Sequence, residues 1–134
     1  MQRVKLLVVE DNPVIRDLFR LGIDKLQNEA GARALHFEVE QAADGGTAWN
    51  YVQNNSVDLV VIDLYLPVLN GLELIERIRN SPTLRTMKIL AISASMHDAR
   101  DRSLGAGADM FLQKPLRLLD LLDAIRALLN VHSS

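Results

Sequence analysis

Short apolar runs alternate with segments of helical period along the whole chain, and this alternation limits the possible folds more than any other feature. Five apolar runs predict strands, at residues 4–9, 35–41, 57–62, 88–93 and 109–113. Five amphipathic segments predict helices, at about 13–26, 44–54, 71–81, 96–106 and 116–129. Strands that alternate one by one with helices predict an α/β fold, a doubly wound five-stranded parallel sheet with five helices.

Local signals place several element boundaries. Asn12 and Pro13 are typical of the first two positions of a helix, Asp44 is expected to cap the second helix, and Asn70 with Gly71 begins the third. The fourth segment is rich in Asp and Arg and has few large apolar residues, so we expect it to be the most weakly packed helix. The run at 35–41 alternates apolar and polar residues, which predicts an edge strand.

Composition restricts the class of protein. At 134 residues, 49% of them hydrophobic, the chain is expected to form one domain over residues 1–134. The absence of cysteine excludes disulfides and thiolate chemistry. A net charge of −2 argues against direct nucleic-acid binding. Neither a membrane-spanning run nor a signal-peptide pattern is seen, so we expect a cytoplasmic protein that makes no membrane contact.

Polar residues follow the ends of the predicted strands. Glu10 and Asp11 follow the first strand, Asp63 follows the third, Ser93 ends the fourth, and Lys114 follows the fifth. Because right-handed crossovers bring the carboxyl ends of parallel strands to one edge of the sheet, these side chains are expected to converge there.

Three carboxylates in one cleft repel each other unless a cation lies between them. An all-oxygen ligand set suits Mg²⁺, whereas His36, His97 and His132 have no spacing that would group them as ligands. Asp63 could then act as a nucleophile toward phosphorus, since carboxylates form acyl phosphates. Lys114 would supply positive charge and Ser93 a hydroxyl donor for the phosphoryl oxygens.

Each of these residues taken alone has a more ordinary interpretation. A Glu-Asp pair before Asn-Pro commonly begins a helix, an aspartate before a turn commonly caps a loop, and Phe111 is by default a core residue. The functional interpretation is favoured because residues at four strand ends all suit one mechanism, phosphoryl transfer to a carboxylate.

Four motifs resemble those of response-regulator receiver domains, the phospho-acceptor modules of two-component signalling. They are LVVEDN at 7–12, DLYLPVLNGLEL at 63–74, ISA at 92–94 and GADMFLQKP at 107–115. The resemblance extends from Leu6 to about Leu129 and implies a flavodoxin-like sheet with strand order 2-1-3-4-5.

The resemblance also implies a role for each site residue. Asp63 is the phosphorylation site, Glu10, Asp11, Asp63 and the Tyr65 backbone carbonyl hold Mg²⁺, and Lys114 pairs with the phosphoryl group. Ser93 and Phe111 are the switch residues, and the Lys114–Pro115 peptide bond is a candidate for the cis form.

The same resemblance implies what the domain does and with whom. A histidine kinase or phosphotransfer protein donates the phosphoryl group, and the face formed by the fourth helix, fifth strand and fifth helix signals to a downstream protein or pairs two copies as a homodimer. Such a domain is not an enzyme in the ordinary sense, because it catalyses only its own phosphotransfer and a slow autodephosphorylation.

The chain departs from the common pattern at Tyr65, Leu66 and Phe111 and in the length of the segment 28–34. Tyr65 is bulkier than the polar residue usual two positions after the phosphorylated aspartate, so its ring could slow the approach of water. The segment 28–34 lengthens the connection before the second strand, and no role follows for it from the sequence.

Three other classes of protein compete with this interpretation. A haloacid-dehalogenase-like phosphatase needs a second acid two residues after the nucleophile, where Tyr65 stands. A flavodoxin-like FMN protein needs a phosphate loop rich in Ser, Thr or Gly, whereas residues 10–13 carry two acids. The third alternative is a phosphorylation-independent, receiver-like protein-interaction scaffold.

Overall fold

A computed structural model describes residues 2–30, 35–95 and 98–129. The sheet has five parallel strands in the order β2-β1-β3-β4-β5, which confirms the predicted fold. The strands are β1 (Gln2–Val9), β2 (Leu35–Ala42), β3 (Leu59–Asp63), β4 (Lys88–Ser93) and β5 (Met110–Gln113). The helices are α1 (Pro13–Ala30), α2 (Gly45–Asn54), α3 (Gly71–Asn80), α4 (Ala99–Ala106) and α5 (Leu118–Leu129).

The central strands are buried on both faces, as their continuous apolar runs require. One apolar cluster lies between the sheet and α2, α3 and α4, and the other lies between the sheet and α1 and α5. No helix in the described ranges has the length and apolar character needed to cross a membrane.

Helix starts follow the local signals. The Asp44 carboxylate accepts a hydrogen bond from the Thr47 N–H at 2.7 Å, and the Asn70 side chain accepts one from the Glu73 N–H at 2.9 Å. The Asn12 side chain likewise accepts from the Val14 N–H at 2.9 Å. These three contacts satisfy N–H groups that have no partner inside the helix.

Several predicted boundaries were wrong: β1 begins at Gln2 rather than at residue 4, and α5 begins at Leu118 rather than at residue 116. Strand β3 begins at Leu59 rather than at residue 57, because the Asp58 carboxylate accepts the Lys5 N–H at 2.8 Å. Helix α1 continues to Ala30, about one turn beyond the predicted end. Part of the lengthened segment 28–34 is therefore helical, while residues 31–34 lie outside the described part of the chain.

Within the residues whose burial is described, helix α4 is the one helix that buries no side chain larger than that of serine, in agreement with the prediction of weak packing. It buries only Ala99 and Ser103, and its described part begins at Ala99 rather than at residue 96. Residues 96 and 97 lie outside the described ranges.

Strand register brings the polar strand ends together. Val9 pairs with Ile62, so Glu10 follows β1 beside the end of β3. Asp63 pairs with Ile92, and Ser93 pairs with Gln113. Glu10 and Asp63 therefore lie level at one edge of the sheet, with Ser93 one residue and Lys114 two residues further along the strand direction.

Candidate functional site

Three carboxylates form the centre of the site. Glu10, Asp11 and Asp63 each place one carboxylate oxygen within 4.8 Å of the others. Glu10 is fully buried and Asp63 is 4% exposed, whereas Asp11 is open to solvent. The cleft therefore has two buried acids at its base and one exposed acid at its rim.

Lys114 reaches into this cleft from the end of β5. Its Nζ donates a hydrogen bond to Asp63 Oδ2 at 2.8 Å and lies 3.0 Å from Glu10 Oε2. Burial by itself lowers the pKa of Lys114, but the hydrogen bond to Asp63 and the negative charges of Asp63 and Glu10 outweigh it and raise the pKa above its ordinary value. The amine is thus held as a cation between two acids.

Among the site residues, Glu10 has a pKa that lies far above the ordinary value for a glutamate. Burial is the main cause that raises its pKa to about 7, and the negative charge of Asp63 adds to the effect while Lys114 opposes it. Its Oε1 accepts the Asn12 N–H at 3.1 Å. Its Oε2 lies at ion-pair distance from Lys114, but the angles do not make a hydrogen bond, so this buried oxygen lacks a hydrogen-bond donor.

Glu10, Asp11 and Asp63 share one lysine, so the cleft carries an excess of negative charge that a metal ion would offset. The donor set of three carboxylates is all oxygen, which suits Mg²⁺ better than a transition metal. The residues present therefore fit the predicted ion, and their ligand roles stay a prediction.

The predicted phosphorylation residue is held rigidly. Asp63 Oδ1 accepts the Tyr65 N–H at 3.0 Å, and the Leu64 N–H donates to the Ile92 carbonyl at 3.0 Å. Gly71 was predicted only as a helix start, yet a Cβ there would lie 2.5 Å from the Asp63 carbonyl oxygen. Only glycine lets α3 begin this close to the strand end.

The predicted switch residues also lie near the cleft. Ser93 is fully buried, and its Oγ accepts the Ser95 N–H at 3.0 Å. Phe111 is partly buried and packs against the apolar cluster beneath α2, α3 and α4. Tyr65 is 64% exposed, and the Lys114–Pro115 peptide bond is cis, as expected.

Comparison with known proteins agrees with this fold and site. The model of the response regulator receiver domain matches residues 6–126. The chain therefore belongs to the response regulator receiver domain family, and its acidic residues are clustered as in the phosphorylation sites of two-component signalling.

Curated relatives share the domain and extend beyond it. The chain is 33% identical over 126 residues to the response regulator GtcR of Aneurinibacillus migulanus, which covers 93% of this chain and 47% of that protein. It is 40% identical over 137 residues to the alkaline phosphatase synthesis transcriptional regulatory protein SphR of Synechococcus elongatus, covering 94% of this chain and 49% of the relative. The chain thus spans about half the length of these two relatives.

Solved structures show the same architecture. A response regulator from Chloroflexus aurantiacus superposes with a TM-score of 0.85 at 26% identity, covering 96% of this chain and 99% of the other. The receiver domain of a sensor histidine kinase from Pseudomonas aeruginosa superposes with a TM-score of 0.82 at 26% identity and the same coverage. That second structure has a magnesium ion coordinated in its active-site cleft.

Proposed function

We propose that this domain accepts a phosphoryl group on Asp63 from a histidine kinase or phosphotransfer protein. The observation that carries the proposal is the position of Lys114, whose Nζ lies 2.8 Å from Asp63 Oδ2 and 3.0 Å from Glu10 Oε2 at the base of the acidic cleft. A buried nucleophile beside a fixed cation is the arrangement that phosphoryl transfer needs.

In the transfer step an Asp63 carboxylate oxygen attacks phosphorus. The new O–P bond forms as the P–N bond of the donor histidine breaks, and the imidazole leaves with the bonding electron pair. Lys114 offsets charge on the phosphoryl oxygens. Glu10, Asp11, Asp63 and the Tyr65 carbonyl would hold Mg²⁺, which when bound supplies further positive charge at those oxygens.

The added charge of about −1.5 to −2 then acts on Ser93. Its Oγ accepts the Ser95 N–H, and its hydroxyl hydrogen can still be donated to a phosphoryl oxygen. That bond would draw the loop after β4 inward and let the Phe111 ring turn further into the space beside it. The α4-β5-α5 face would change with it, which is the difference that a partner reads.

The partners themselves are part of the proposal. They are a histidine kinase or phosphotransfer protein, a downstream protein target, and a second copy through the α4-β5-α5 face. Direct nucleic-acid or membrane contact is not proposed for this domain over residues 1–134, although two relatives are named transcriptional regulatory proteins. The cytoplasmic location stays a prediction.

The decisive experiment compares wild type with Asp63→Asn, using Mg²⁺ and acetyl phosphate, and follows intact mass. Wild type should gain one phosphoryl group, and Asp63→Asn should gain none. Asp24→Asn, a change of an exposed aspartate on α1, is the matched control and should behave as wild type.

The alternative is a scaffold that binds partners without phosphorylation. It would be favoured if wild type showed no Mg²⁺-dependent change with either acetyl phosphate or beryllofluoride. An equal gain of phosphoryl mass in wild type and Asp63→Asn would mean that Asp63 is not the acceptor.

Tyr65 is proposed to lengthen the life of the aspartyl phosphate, because a bulky, exposed ring two residues after Asp63 would hinder the approach of water. Replacing Tyr65 with Asn should shorten that lifetime, as measured by loss of the phosphorylated mass after removal of the donor. Equal lifetimes for the two proteins would remove this role.

A further inference from the structure

A small cavity opens directly beside the proposed phosphorylation site. It has a volume of about 140 Å³ and lies between the β3–α3 loop and α4. Its lining residues are Leu64, Tyr65, Asn70, Leu72, Ala99 and Arg102. Since Leu64 and Tyr65 immediately follow Asp63, the cavity and the acidic cleft share the same short stretch of backbone.

The size and chemistry of this cavity suit an aromatic ring. An engineered apolar cavity of about 150 Å³ can hold benzene. Leu64, Leu72 and Ala99 present apolar surface, and Arg102 adds a guanidinium that can stack on a ring face.

Tyr65 supplies an aromatic ring at the edge of the cavity. It already forms part of the cavity lining and is 64% exposed. The cation–π contacts in the described part of the chain join Lys5 to Tyr51 and Arg77 to Trp49. The ring of Tyr65 is therefore not stacked on a cation in this conformation.

The Arg102 guanidinium is also available to stack on an aromatic ring. Within the described ranges its side chain forms neither an ion pair nor a hydrogen bond, and it also lines a neighbouring groove of about 450 Å³ between α3 and α4. It is carried by α4, whose only buried residues are Ala99 and Ser103. A helix that buries two small side chains can shift at little energetic cost.

We propose that the Tyr65 ring has two positions, one beside the cleft over Asp63 and one in the adjacent cavity, where Arg102 of α4 holds it. This inference rests on the proposed phosphorylation of Asp63. In the cavity position the ring clears the cleft, so water reaches the phosphoryl group. The water oxygen then attacks phosphorus as the bond to the Asp63 oxygen breaks, which releases inorganic phosphate and restores the carboxylate.

Arg102 is thus a positioning residue that acts through Tyr65, and α4 would set the lifetime of the signal as well as display it. Any partner that holds α4 in one position would thereby change the rate of hydrolysis. Partner binding and hydrolysis of the phosphoryl group would thus be coupled, although the partner need not touch the cleft.

The first test measures phosphoryl lifetime in four proteins: wild type, Arg102→Gln, Tyr65→Asn and the double variant. Arg102→Gln should lengthen the lifetime by about two- to five-fold, the factor that corresponds to a contact of about 0.5–1 kcal/mol. The same change should have no effect in the Tyr65→Asn protein. Arg100→Gln, an exposed change on α4 outside both cavities, is the control.

Two outcomes would overturn the inference. One is an unchanged lifetime in Arg102→Gln, and the other is an equal change whether position 65 carries Tyr or Asn, which would mean that the arginine acts by charge alone. Arg102→Lys sharpens this point, because it keeps the charge without the planar group and should recover only part of the wild-type rate.

A second readout does not require phosphorylation. Fluorotyrosine incorporated in place of tyrosine gives a ¹⁹F resonance for Tyr65, assigned by its survival in Tyr51→Phe. Arg102→Gln should shift that resonance toward its solvent-exposed value, and Arg100→Gln should not. A failure to phosphorylate would refute the proposed function, whereas an unmoved resonance would refute the Tyr65 inference.

Discussion

Helices α4 and α5 flank the same edge strand, β5, yet they are held in different ways. Helix α5 buries four apolar residues against the sheet and α1, namely Leu121, Leu122, Ala124 and Ile125. Helix α4 buries only an alanine and a serine. Full burial of a large apolar side chain contributes about 1.5–3 kcal/mol, so α5 is fixed by packing and α4 is not. One side of the proposed signalling face is therefore rigid and the other is adjustable.

Helix α4 is nevertheless anchored at its C-terminal end. The Arg79 guanidinium donates to the carbonyls of Gly107 at 2.7 Å and Arg85 at 2.9 Å, and to the Asp109 carboxylate at 2.7 Å. Asp109 also accepts the Ile89 N–H at 2.8 Å. Movement of α4 should therefore be largest toward its N-terminal end, which lies on the side of Ser93 and the cleft.

The largest expected effect compares a core truncation in each helix. Ile125→Ala in α5 should lower the free energy of unfolding by about 2–5 kcal/mol, because it leaves a cavity in a fully buried position. Leu104→Ala in α4 removes a partly buried side chain and should cost on the order of 1 kcal/mol. Urea denaturation measures both, and equal losses would contradict the contrast between the helices.

A smaller effect is expected where α4 is anchored. Gly107 has φ of 122°, and a Cβ there would clash with Arg79 Cγ. Gly107→Ala should cost about 1–3 kcal/mol in backbone strain alone. Hydrogen exchange should also show faster opening of α4, with α5 unchanged. Loss of protection in both helices alike would mean that the anchor serves the whole domain and not α4.

The smallest effect tests the free surface of α4. A Cβ at Gly105 would meet no atom within 4 Å, so Gly105→Ala should stabilise the protein by about 0.4–1 kcal/mol through helix propensity. Thermal denaturation measures the gain. A destabilised variant would show that α4 needs the conformational freedom of glycine at this position.

Prediction from sequence succeeded where the signal is local. Asp44 and Asn70 cap their helices because an Asp or Asn before a helix finds a free N–H within three residues, whatever the rest of the fold does. It failed at the start of β3, because the bond from the Lys5 N–H to Asp58 joins residues 53 positions apart. No local pattern contains that information.

By itself the sequence determined the class of fold and the residues that could meet at one sheet edge. Alternating periodicity and right-handed crossovers leave few arrangements for such a chain. The electrostatics of the site depend on the folded chain: burial raises the pKa of Glu10 to about 7, and Lys114 lies between two acids. The cavity that Tyr65 shares with Arg102 likewise depends on the folded chain. Burial and interatomic distance arise from packing between segments that are distant in sequence, so the order of residues along the chain does not display them.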